Sequence, residues 1–179
     1  MRKNEIDLMI LGSLLLGPAH GYEIKRRIGE TFGVLYPNLS HSVLYPRLAQ
    51  FEKEGFITGK VEPQRDAPSR NVYRLTEAGF KQIKVLTATP VRLAGSPSGT
   101  YADELAVHIV FFSLITKEER CRVIEPYYRI TLVRYDDAVK KLEKLASENI
   151  DKYNLAFLEH GVLLLKYTVE LYEKLMALD

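Results

Sequence analysis

The sequence predicts a mainly α-helical protein with a small β-hairpin: an N-terminal winged helix-turn-helix domain followed by an antiparallel helical dimerisation domain. Three observations predict it. Residues 40–79 run through a polar-started helix, a short strand, a turn rich in Pro, Ser, Asp and Arg, a second strand and a capped helix, the order a winged helix-turn-helix requires. Thr87 to Thr100 then collects Pro90, Gly95, Pro97 and Gly99 with a single charged residue, Arg92, and reads as a linker. From residue 101 onward apolar residues recur at 3–4 spacing to the end of the chain. The expected domains are residues 1–87, a linker over 88–100, and a helical dimerisation domain over 101–179.

Composition narrows the function class. The 179 residues are ample for a core without metal or disulfide, and the single cysteine, Cys121, has no partner in the chain, which points to a reducing, cytoplasmic home. The four histidines, at 20, 41, 108 and 160, are scattered, and the sequence shows no Gly-rich phosphate loop, nucleophile motif or metal-ligand spacing. Neither an enzyme nor a cofactor or metal is expected. No apolar run approaches the roughly 20 residues that cross a bilayer, so no membrane partner is expected. Residues 1–87 hold 13 Lys plus Arg against 9 Asp plus Glu, a net +4, while the rest of the chain is net −2. The positive charge sits with the wing.

The first helix is expected from Asn4 to Leu16, with Ile6, Met9, Ile10 and Leu14 inward and Gly17-Pro18 as its stop. A second, from about His20 to Thr31 or Phe32, buries Tyr22, Ile24 and Ile28 and turns Lys25, Arg26 and Arg27 largely outward. The third starts at Asn38 or Ser40, packs Val43, Leu44, Leu48 and Phe51, and ends at Gly55. Residues 56–62 and 71–75 are the wing strands. Thr76 caps a helix to about Leu86, with Glu77 suited to its first turn.

Beyond the linker, residues 101–115 form a helix whose broad apolar surface needs partners on more than one side. Thr116 caps a long helix carrying Ile124, Tyr128, Thr131, Tyr135, Ala138, Leu142 and Leu145, a heptad-like seam. A last helix, 149–178, repeats the pattern with Tyr153, Phe157, Leu164, Tyr167, Leu171 and Leu175. Two such helices imply an antiparallel hairpin, each arm roughly 40 Å long at ~1.5 Å per residue. A second copy of the chain is the economical cover for the apolar faces that remain.

Duplex binding needs outward cations and hydroxyls for phosphate, and short polar or planar donors near the start of the helix that enters the major groove. Asn38, Ser40, His41, Ser42, Tyr45 and Arg47 supply the helix set, with Arg47 placed for a phosphate. Gln64, Arg65, Ser69 and Arg70 supply the wing, and Lys3, Lys25 and Arg26 further phosphate contacts.

Three motifs carry a family resemblance. Leu11-Gly12-Ser13-Leu14-Leu15 with Gly17-Pro18-Ala19-His20-Gly21-Tyr22-Glu23-Ile24 is one. Ser42-Val43-Leu44-Tyr45-Pro46-Arg47-Leu48 leading to Phe51-Glu52-Lys53-Glu54-Gly55-Phe56-Ile57 is the second, and Val72-Tyr73-Arg74-Leu75-Thr76-Glu77-Ala78-Gly79 the third. Together, over residues 6–80, they resemble the PadR family of bacterial and archaeal transcriptional regulators, in the class whose C-terminal region is helical as in the virulence activator AphA. The wing tip departs from the family's common Gly-Arg-Pro-Arg-Lys, reading Asp66-Ala67-Pro68-Ser69-Arg70. The resemblance implies a homodimer, usually repressing, on a two-fold symmetric double-stranded DNA operator. A small aromatic effector would have Phe111, Phe112, Tyr128 and Tyr135 as its lining. A winged helix used for protein contact or RNA binding is the alternative.

Overall fold

In the computed structural model, residues 3–33, 39–63, 69–90, 101–148 and 150–179 are described, the side chains of residue 3 and residues 101–104 excepted. Two compact units result: Met1–Thr89 with Ala102–Ile115, and a second that contains Thr116–Asp179. The stretch 102–115 thus lies with the first unit rather than with the helices that follow it in sequence.

The first unit opens with α1 (Lys3–Ser13), continued by a 3-10 turn over Leu14–Leu16. Leu8, Met9, Ile10 and Leu11 are all at most 1% exposed, because helices pack on more than one side of α1. The 3-10 turn replaces the expected helical end: Leu14 O accepts from Gly17 N–H, and Gly17 leaves the helix at a φ of 105°. A two-residue strand β1 (Ala19–His20) precedes α2 (Gly21–Phe32) and was too short to carry a periodic signal. α3 (His41–Lys53) follows, its Leu44, Leu48 and Phe51 buried against Ile24, Ile28 and Ile57 in one core cluster.

Strands β2 (Ile57–Glu62) and β3 (Arg70–Leu75) pair antiparallel from Ile57↔Leu75 to Glu62↔Arg70, and β1 adds to the other edge of β3 through Ala19↔Tyr73 and His20↔Val72. The sheet order is β1-β3-β2, three strands where the sequence predicted two. Thr76 Oγ1 accepts from Gly79 N–H and donates toward Gly55 O, which caps α4 (Glu77–Ala88) and ties its start to the end of α3.

Further along the chain, α5 (Tyr101–Ile109) is shorter than the expected helix over 101–115 and gives way to a 3-10 turn at Phe112–Leu114. Its docking on the first unit is specific. The Phe111 ring lies so close to Gly12 that a Cβ there would stand 2.2 Å from Cζ, and it packs on Phe32 with ring centroids 6.2 Å apart. His108 Nδ1 meets Thr87 O at 3.0 Å.

The second unit is an antiparallel pair, α6 (Lys117–Ala146) and α7 (Lys152–Ala177). Cross-links run in opposite senses along the two: Lys117 to Asp179, Arg120 to Leu178 O, Cys121 to Met176 O and Tyr128 to Glu173. A complete capping box at Thr116 and Glu119 starts α6, and Asp151 accepts from Tyr153 and Asn154 N–H to start α7. Val169 and Tyr172 are buried against α6, whereas Tyr153, Phe157, Leu164, Tyr167 and Leu171 are 45–74% exposed.

Candidate nucleic-acid interface

Three elements of the first unit bring polar groups to one face: the start of α2, the start of α3, and the β2–β3 hairpin. Ser40 adopts the extended backbone of a helix cap, and its hydroxyl meets that of Ser42 at 2.9 Å rather than a backbone N–H. The Ser40 side chain thus caps no N–H of α3, while Val43 and Leu44 N–H donate to Ser40 O at 3.2 and 3.0 Å at the positive end of the helix dipole. Pro46 removes the N–H that would have bonded Ser42 C=O, leaving an acceptor on the same exposed turn. His41 and Tyr45, one turn apart, stack with centroids 5.7 Å apart and an interplanar angle of 14°. Gly21 at the start of α2 admits the Tyr45 ring, since a Cβ there would lie 2.8 Å from Cε1 and Oη.

Between α2, Tyr45 and the hairpin lies a groove of about 690 Å³, lined by His20, Gly21, Tyr22, Tyr45, Val61, Ser69, Arg70, Asn71 and Tyr73. Among the described residues, no carboxylate lines it. Ser69 and Arg70 are exposed at its wing side, and Tyr45 is half exposed at its α3 side.

The expected DNA-contacting residues divide accordingly. Ser40, His41, Ser42, Tyr45, Ser69 and Arg70 are exposed on this face. Lys25 is half-buried on α2. Arg26 is exposed but occupied: its guanidinium donates to Glu23 at 2.9 and 2.8 Å and to Glu30 at 2.7 Å, which raises its pKa further. The hydrogen bonds from Arg26 and then Arg27 hold the Glu23 carboxyl down to about 2, so the cluster stays ionised. Arg27 is not outward at all, donating to Ser13 O and Gly17 O at 3.0 and 2.8 Å and so holding the turn between α1 and α2.

Arg47, expected on phosphate, pairs within the protein with Asp7. Its Nε donates to Asp7 Oδ1 at 2.8 Å and its Nη2 to Asp7 Oδ2, while the guanidinium lies 4.7 Å from the centroid of the Phe51 ring. The bidentate geometry and a side chain only 19% exposed make it a brace between α1 and α3. Asn38, Gln64 and Arg65 lie outside the described residues, as does the side chain of Lys3.

Sequence reasoning missed His20, Tyr22 and Asn71. Tyr22, expected in the core, is 68% exposed: at ~100° per residue it falls off the Ile24–Ile28–Phe32 stripe and stands beside His20, ring centroids 6.4 Å apart. A helical projection of α2 carried that signal. His20 and Asn71 reach the groove only through the β1–β3 pairing.

The expected effector set is divided between the two units. Phe111 and Phe112 are core residues of the first unit, at 7% and 5% exposure. Tyr128 and Tyr135 belong to α6 in the second, where Tyr128 Oη donates to Glu173 at 3.0 Å. Among the described residues no group of three or more His, Cys, Asp or Glu is placed to hold a metal, and no helix is long and apolar enough to cross a membrane.

Residues 10–85, which run from within α1 to within α4 and include this face, match the family model described as the transcriptional regulator PadR-like family. The chain belongs to the PadR-like family. Among solved structures, a transcriptional regulator from Clostridium thermocellum is 31% identical over 45% of this chain and 77% of its own, with a TM-score of 0.41. Bacillus subtilis PadR, solved in complex with operator DNA, is 22% identical over 96% of this chain and 97% of its own, with a TM-score of 0.46. The same protein solved with p-coumaric acid gives 20% identity over 99% and 97%, with a TM-score of 0.42. No curated protein sequence matches the chain. As a PadR-like protein it is a DNA-binding transcriptional regulator rather than an enzyme.

Proposed function

We propose that this PadR-like regulator acts as a homodimeric repressor in the cytoplasm, reading a pseudo-palindromic double-stranded operator with α3 and gripping the flanking backbone with the wing. The observation that carries the reading is the face itself: Ser40, His41, Ser42 and Tyr45 are exposed on α3 next to Arg70, around a groove whose described lining holds no carboxylate. Two copies place two such faces on successive major grooves only when their separation is near one helical turn, ~34 Å, which makes dimer geometry a control point. The dimer reading is supported by Tyr153, Phe157, Leu164, Tyr167 and Leu171, which form one exposed apolar stripe along α7.

Fluorescence anisotropy with duplex DNA from upstream of the protein's own gene, against a scrambled duplex across a salt series, tests it. Selective binding with a steep salt slope at one dimer per site is expected, each neutralised phosphate adding about 0.9 to the slope. Equal, weak, salt-insensitive binding to both duplexes overturns it in favour of a protein-contact module.

For an effector, we infer a small aromatic compound seated beside Phe111. A cavity of about 200 Å³ there is walled by Leu15, Leu16, Thr31, Val110 and Leu114. Titration with p-coumaric acid while following DNA affinity tests this; an unchanged Kd at saturating compound overturns it.

A further inference from the structure

The groove contains two hydrogen-bond donors that face one another. His20 closes the first turn of α2, its Nδ1 accepting from Glu23 N–H at 3.1 Å. An accepting Nδ1 carries no proton, so the neutral imidazole bears its hydrogen on Nε2. That Nε2 lies 3.4 Å from Arg70 Nη1, and a guanidinium has donors only. The two groups therefore cannot satisfy each other, and one acceptor placed between them could take a hydrogen bond from both. The β-sheet fixes the approach, since His20↔Val72 holds β1 against β3 and Arg70 stands two residues before Val72 at the start of that strand. Ser69, Asn71, Tyr22 and Tyr45 add further polar groups around the spot. Arg26 and Arg27 in the same unit are both ion-paired with Glu23, whereas no ion pair occupies Arg70 among the described residues.

We propose that His20 Nε2–H and the Arg70 guanidinium form a paired-donor clamp for one backbone phosphodiester of bound duplex DNA. The inference rests on the reading of this face as the DNA interface and adds to it a residue outside the recognition helix and the wing. A phosphodiester monoanion offers two non-bridging oxygens, enough to accept from both groups, and charge-assisted bonds of this kind are short and strong. Because Nδ1 is fixed by the backbone of α2, the clamp is set by the fold before DNA arrives. One side chain thus caps a helix and aims a donor.

The test uses anisotropy on a 30-bp duplex of arbitrary sequence, since phosphate contacts are independent of sequence. Asparagine at the cap position retains an acceptor for Glu23 N–H, so His20→Asn is expected to keep the thermal unfolding midpoint of the wild type while weakening binding about tenfold. Arg70→Gln weakens binding by a similar factor and lowers the salt slope by about 1. The double variant loses little more than Arg70→Gln alone, because both act on one phosphate. His20→Asp, which also caps well, must weaken binding beyond His20→Asn by adding charge repulsion. Inorganic phosphate at constant ionic strength must fail to displace the duplex, as a site for free phosphate would not. Wild-type affinity in His20→Asn, or fully additive losses in the double variant, overturns the clamp alone. Salt-independent binding by the wild type overturns the interface reading and the clamp with it.

Discussion

Arg47 shows how a residue's type and its job separate. In sequence it sits on the outward-leaning side of a recognition helix, and the structure spends it on Asp7, forty positions away. Arg47→Ala leaves the Asp7 carboxylate, 10% exposed, without that partner. We expect a loss of about 2 kcal/mol, below the ~3–5 kcal/mol of a fully buried pair, read as a lower denaturation midpoint with an unchanged salt slope on duplex DNA. His108 is the second telling residue. It is 1% exposed, its Nε2 has no hydrogen-bond partner among the described residues, and burial pushes its pKa below the ordinary 6.5. The unfolded chain therefore binds a proton before the native state does, and stability falls as pH drops through 6.5 toward the lowered native value. His108→Gln should flatten that part of a Tm-against-pH curve; an identical slope in wild type and variant would contradict it.

At the scale of elements, two close approaches do most to place the helices. Gly12 lets the Phe111 ring rest on α1, which fastens 102–115 to the winged unit. Gly12→Ala should cost about 1–3 kcal/mol by overpacking, and Phe111→Leu in the same chain should recover part of the loss. Chemical denaturation of the two single variants and the double variant measures this; strict additivity would show that the ring is not the obstacle. Gly21 does the same for Tyr45 at the groove. Gly21→Ala should displace the Tyr45 ring and weaken duplex binding several-fold while leaving far-UV dichroism unchanged, and wild-type affinity would remove Tyr45 from the interface.

Most of the element map was legible in the sequence. Ser40, Thr76 and Thr116 sit at the helix starts where cap chemistry puts them, and the wing strands fall where alternation and turn residues predict. Strand β1 was not legible, because two residues carry no period and the pairing partner Tyr73 lies more than fifty positions on. The end of α5 at Ile109 was not legible either: the apolar run continues to Ile115, and it is the docking of Phe111 that turns the chain.

For the whole molecule, the exposed stripe on α7 makes assembly the property to measure. Leu164→Glu combined with Tyr167→Lys should convert a dimer into a monomer of the 20.5 kDa chain by light scattering, with salt-dependent DNA affinity falling at least tenfold as the second half-site is lost. A variant that remains dimeric would show that another face holds the copies together. The sequence by itself determined the helices, the wing, the order of elements and the family, because caps, turns and periodicity are local and each residue reports its own backbone. Only the tertiary structure decided which cations remain available. Arg26, Arg27 and Arg47 are taken by carboxylates and carbonyls, while Arg70 meets the donor of His20 across the sheet. Charge is written residue by residue, but pairing depends on which residues folding brings within 3 Å, and that distance is not a local quantity.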